Sequence, residues 1–321
     1  MNLKNVLISC LLSYCCINLA TFSDQWQLMQ KEKKQLNKKL EQQNLSKLES
    51  IYYHPYWQEQ KKVLEAILLG APDPDCWKKN PINGTMVCCG YSQYQKYELD
   101  YLQLCLSQET ATKIFSYQDT YFNGIPFECQ ALNCSSNTLL HLYYASHILE
   151  QLPQAKQIIE FGGGYGNLAR IFKKIDPSAT IIIIDLPEFI ALQYLFLSAT
   201  LDDTHVYIHK TTPKNYIQGA IHLIPIHLID TLNLTPDLFV STFALSETPT
   251  IIQNKIIEKQ FFGAPSVYMT GQIDGWYPYN QFENHQLLQQ AIHGAYKHVS
   301  VNLFHRSFDN ALKSYEIIAF Q

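Results

Sequence analysis

The sequence predicts an α/β protein: a doubly wound, mostly parallel, seven-stranded sheet preceded by a helical, loop-rich region. Three observations predict this. From residue 157 to the end, short apolar runs alternate with helical patterns, as they do when parallel strands are covered by helices on both faces. One run, Thr180–Ile184, carries four consecutive isoleucines, the composition of a strand buried on both sides. Another, Gln157–Phe161, passes directly into a glycine-rich turn.

Composition agrees. Of 321 residues, 47% are hydrophobic and 16% charged, enough apolar content for a sizeable core and too little charge for a wholly disordered chain. The net charge is -4, and Arg170 and Arg306 are the only arginines. That argues against the basic face of a nucleic-acid binder.

The N-terminus has Lys4 and then an uncharged run, Val6–Ala20. It is shorter than the ~20 residues of a spanning helix and fits a secretory signal peptide ending near Thr21–Ser23. The expectation is therefore a signal peptide over 1–23, export, and no stable transmembrane span. The alternative is a cytoplasmic protein that keeps an apolar N-terminal helix. Residues 24–134 form the cysteine-containing N-terminal region and 135–321 the ligand-binding domain. Cys76, Cys88, Cys89, Cys105, Cys129 and Cys134 fall in the former, and no cysteine follows. Their spacing lacks the paired CxxC of a zinc site. In an oxidising compartment they form a disulfide framework; otherwise they are buried thiols.

The elements follow in order. Trp26, Met29, Leu36 and Leu40 mark an amphipathic helix within 24–50, and the prolines and glycines of 71–92 mark a loop. A helix over Leu139–Leu152 follows the capping cluster Ser135–Thr138. Helix 166–175 follows the glycine turn, and Pro187 opens a helix to about Ser198. Strands are expected at Thr204–Ile208, Asp237–Phe243, Ser266–Ile273, His298–Phe304 and Tyr315–Phe320. Helices are expected at Glu247–Gln260 and 283–295.

The motif that carries chemistry is Ile158-Ile159-Glu160-Phe161-Gly162-Gly163-Gly164-Tyr165-Gly166-Asn167. Glycines let a ligand approach the backbone, and a helix start offers free N–H groups. The Gly162-x-Gly164-x-Gly166 spacing after an acid suits S-adenosylmethionine (SAM), with Glu160 toward its cationic amino group. Asp185 ends the isoleucine strand 19 residues after Gly166, where an acid accepts hydrogen bonds from ribose hydroxyls. Gly164–Ala169 also matches GxGxxA, a dinucleotide variant. Against that reading, Glu160 would approach a pyrophosphate, and the match begins three residues past the strand.

These segments, with Asn123–Pro126, Thr138–Ala145, Ile184–Glu188, Asp237–Val240 and Ser246-Glu247, resemble a family of sugar O-methyltransferases over residues 120 to 320. The resemblance implies a class I, Rossmann-like methyltransferase that uses SAM on a hydroxyl of a sugar, glycan or related polar small molecule. Asn167 stands where the family has a further glycine, and Thr248-Pro249 where it commonly has Met.

Ligands of parallel sheets lie beyond the carboxyl ends of the strands. That rule selects His305, Glu247 and Asp274 as candidate bases for a hydroxyl proton. His305 has the convenient intrinsic pKa, and Glu247 needs burial to raise its own. His222 and His227 read as core or cofactor-edge residues, and no metal-ligand spacing is present, so no metal is expected. Gly275–Asn280 reads as an aromatic lid or a packed surface loop. Two other classes remain open: a non-catalytic binding module on this fold, and a nicotinamide oxidoreductase.

Overall fold

The computed structural model describes residues 93–117, 119, 129, 131–201, 205–273, 285–305 and 313–321. The apolar N-terminal run, the helix expected within 24–50, Cys76, Cys88, Cys89, Asp274 and the aromatic segment 275–280 lie outside them. No helix among the described residues is long and apolar enough to cross a membrane.

Two helices, α1 (Gln93–Leu104) and α2 (Gln108–Phe115), precede α3 (Ser136–Gln151) and pack against it. Ser135 caps α3, its hydroxyl accepting from the Thr138 N–H. Alternation then begins: β1 (Gln157–Phe161), α4 (Asn167–Ile175), β2 (Thr180–Asp185), α5 (Pro187–Thr200), β3 (Val206–Ile208) and β4 (Ile221–Pro225). It continues with β5 (Leu238–Thr242), α6 (Thr250–Glu258), β6 (Ser266–Gln272), α7 (His285–Ala295), β7 (His298–His305) and β8 (Lys313–Phe320).

These strands form one eight-stranded sheet among the described residues, in the order β3-β4-β2-β1-β5-β6-β8-β7. All pairings are parallel except β6–β8 and β7–β8. The chain winds outward from β1 through β2, then returns to β5 on the other side of β1. That reversal opens the crevice in which doubly wound sheets bind ligands. The β2 isoleucines, Ile181–Ile184, are fully buried between β1 and β4.

The sheet has one strand more than the sequence pattern predicts. The addition is β4, which is wholly buried inside the apolar stretch Ala220–Ile229. A five-residue buried run has no periodicity that separates strand from helix. Within the core, His222 Nε2 bonds the Ile217 carbonyl at 3.1 Å and its Nδ1 meets His209 Nε2 at 2.8 Å. Burial lowers the pKa of both rings, that of His209 to about 4.

A second difference lies at α6. It starts at Thr250 rather than Glu247, because Pro249 holds Thr248 extended (φ -94°, ψ 154°), the usual constraint on a residue before proline. Glu247 instead ends a 3₁₀ turn, Ala244–Glu247.

Candidate functional site

The site grows from the end of β1. The Gly162 N–H donates to the Ile184 carbonyl of β2 at 2.9 Å, and the Gly166 N–H closes the turn on the Gly163 carbonyl at 2.8 Å. Gly162 (φ 76°) fits against the facing loop so closely that a Cβ there would lie 1.9 Å from the Ala244 Cβ. Gly164 (φ 56°) differs: a Cβ there would meet nothing within 4 Å. One glycine is needed for packing, and the other borders open space.

Glu160 is 2% exposed, and its Oε2 has no hydrogen-bond partner. Burial, and then the nearby Asp185 charge, push its pKa up to about 8. Asp185 is also buried, and burial raises its pKa to about 7 against the opposing effect of its hydrogen bonds. Its Oδ1 accepts from the Leu186 N–H and its Oδ2 from Gln193 Nε2, both at 2.7 Å. Gln193 Nε2 also donates to the Gly164 carbonyl at 3.0 Å. Sequence reasoning does not reach Gln193, a fully buried amide in an otherwise apolar helix, LQYLFL.

The loop is fastened from behind by α3. Tyr165 donates its hydroxyl proton to Asn137 Oδ1 at 3.0 Å, and Asn167 Nδ2 reaches Thr138 Oγ1 at 3.1 Å and His141 Nδ1 at 3.2 Å. Asn167 thus ties the start of α4 to α3 through its side chain. Arg170 of α4 is buried against Tyr117 and, at 3.6 Å, Asp119.

On the other side of the crevice, Ser241 Oγ donates to the Phe161 carbonyl at 3.1 Å and accepts the Leu245 N–H at 3.0 Å. This links β1 to the turn that carries Glu247. Phe243 adopts φ 66° there, a conformation a bulky residue rarely takes. Gln272 Nε2 contacts Glu247 Oε1 at 3.4 Å.

Glu160, Gly162, Gly164, Gly166 and Asp185 therefore come together, and Glu247 stands on the facing loop. His305 does not join them. It ends β7, the outermost strand, four strands from β1 and so about 19 Å away at the usual strand spacing. His227 lies two residues past Pro225, which pairs with Asp185; burial lowers its pKa. Among the described residues no group of three His, Cys, Asp or Glu is placed to hold a metal.

The chain is similar to several solved methyltransferases. The magnesium protoporphyrin IX methyltransferase of Synechocystis PCC 6803, solved with bound SAM, is 8% identical, with TM-score 0.41, over 72% of this chain and 99% of its own. A bacterial Hen1 methyltransferase domain is 14% identical, with TM-score 0.39, over 55% and 95%. The arsenic(III) SAM methyltransferase of Chlamydomonas reinhardtii is 14% identical, with TM-score 0.36, over 52% and 65%. No family model and no curated protein matches the chain.

Proposed function

We propose that this protein binds SAM in the β1–β2 crevice and methylates a hydroxyl of a sugar or related polar small molecule. The observation that carries the reading is the unpartnered, buried Oε2 of Glu160 beside a glycine loop and a ribose-level acid. A buried carboxylate without a donor is costly, and a cationic amino group supplies both a donor and the opposite charge. A pyrophosphate would supply no donor and would repel the ionised form of Glu160.

The donor set fits SAM throughout. Glu160 would accept hydrogen bonds from the ammonium group. Asp185, held by Gln193, the Leu186 N–H and the Gly163 N–H, keeps a remaining lone pair for a ribose hydroxyl. Gly164 leaves backbone open to the ligand. SAM supplies an electrophilic methyl group, and the chain's own task is to orient the acceptor and remove its proton. Glu247 is the first choice as base, since the Ser241–Leu245 bond and the Ala244–Gly162 contact tie its turn to the glycine loop. Asp274 comes second; His305, at the end of the outermost strand, is too far from the glycine loop to serve. The sugar acceptor rests on the sequence resemblance.

Calorimetry with SAM, S-adenosylhomocysteine, NAD and NADP tests the reading: binding of the first two alone is expected, and preference for NAD or NADP would overturn it. Asp185→Ala removes an acceptor whose charged hydrogen bonds contribute ~1.5–3 kcal/mol each. SAM affinity is expected to fall at least about tenfold; unchanged affinity in the folded variant would reject the assignment. Glu247→Ala is expected to lower turnover on a sugar acceptor about 10²-fold with SAM affinity intact. Wild-type turnover in that variant would move the base to Asp274.

A further inference from the structure

We propose that Cys129 and Cys134 form a disulfide that closes the turn between them and fastens the N-terminus of α3. The two residues face each other as an isolated antiparallel bridge. Each N–H donates to the other's carbonyl, at 3.0 and 3.2 Å. A pair exchanging both bonds has its Cα atoms about 5.5 Å apart, within the separations that disulfides span. Both side chains are 1% exposed, and the thiols lie within hydrogen-bonding reach of each other. Cys105, by contrast, is exposed.

The position gives the bond a purpose independent of the methyltransferase reading. Cys134 precedes Ser135, whose N–H donates to the Asp119 carboxylate at 3.0 Å and whose hydroxyl caps α3. The first turns of α3 then hold Tyr165 and Asn167 behind the glycine loop. Closing the 129–134 turn fixes the chain that leads into this anchor.

The oxidant required is a disulfide such as glutathione disulfide. One cysteine thiolate attacks its sulfur and releases a glutathione thiolate. The second cysteine thiolate then attacks the mixed disulfide and releases another. The two cysteine protons end on the two glutathione thiols. Burial raises the Cys134 thiol above its ordinary range, and the thiolate is the nucleophile, so the folded dithiol reacts slowly. The bond therefore closes during folding under oxidising conditions.

Trypsin leaves Ile114–Lys156 as one peptide, with these two cysteines and no internal Lys or Arg. The full chain, refolded in a glutathione redox buffer, is alkylated without reductant and digested. The expected peptide carries no alkyl group and is lighter by two hydrogens than its dithiol form. The C129S/C134S variant is expected to melt about 4–8 °C below the oxidised wild type and together with the reduced wild type. Two alkyl groups on the peptide, or its linkage to a peptide carrying any other cysteine, overturns the proposal. The wild-type mass decides even where the variant does not fold.

Discussion

Gly162→Ala is expected to destabilise the fold and disrupt the ligand crevice together. Its Cβ would lie 1.9 Å from the Cβ of Ala244, a contact that no rotamer relieves because both atoms are fixed to backbone. Forced overpacking typically costs ~1–3 kcal/mol. The φ of 76° adds about 1–2 kcal/mol for a residue with a Cβ. Together these give roughly 2–5 kcal/mol, or a melting temperature lower by about 4–20 °C. The collision falls on the turn that carries Glu247, so the two walls of the crevice separate. Two further variants divide the causes. In G162A/A244G the collision is relieved but the φ cost stays, so stability should return in part. In Gly164→Ala the φ cost is present without any collision. That variant should stay folded and lose SAM affinity, because its methyl group enters the open space proposed for the ligand. Wild-type melting of Gly162→Ala would mean that the facing loop is free to move away.

The residues legible in the sequence were those whose identity alone restricts backbone or burial. Four isoleucines in a row leave little choice but an interior strand, and the glycines after Glu160 mark a turn that few other residues can make. Asp185 was legible from its offset along a doubly wound pattern. Gln193 was not, since an amide in an apolar helix declares nothing about the loop it touches until α5 is laid on β2. Asn167 looked like a departure from a glycine pattern, and only the packing of α3 behind the loop shows what its side chain does. His305 is a candidate because it follows a strand. The rule behind that choice locates an edge of the sheet but not a position along it, and strand order is a long-range property that a linear pattern does not encode. Glu247 was assigned to the correct edge with the wrong local structure, because one proline outweighs the helical pattern that follows it.

Protonation of Glu160 should couple SAM binding to pH. In the ligand-free protein this carboxyl titrates near 8 rather than 4.5, chiefly through burial, and Asp185 near 7 rather than 3.8. The native state thus holds more protons than the unfolded chain across that window. By linkage, the associated stability is fully present below the unfolded pKa values and is lost as pH rises toward 8. Glu160→Gln is neutral throughout. The ligand-free variant is therefore expected to match the wild type near pH 4.5 and to exceed it at pH 8.5, by at most about 5 kcal/mol. Ligand binding should show the opposite preference. An ammonium group selects the ionised carboxylate, so SAM binding below pH 8 expels a proton and affinity rises with pH, by up to about tenfold per unit. Above about pH 8 the ligand's own α-amino group begins to lose its charge, and the gain levels off. Calorimetry in two buffers of different ionisation enthalpy measures the proton release directly. Glu160→Gln should abolish both the release and the pH slope while weakening SAM. Proton uptake by the wild type, or an affinity independent of pH between 6 and 8, would show that the carboxylate does not meet a cation, and the crevice would then belong to a different ligand.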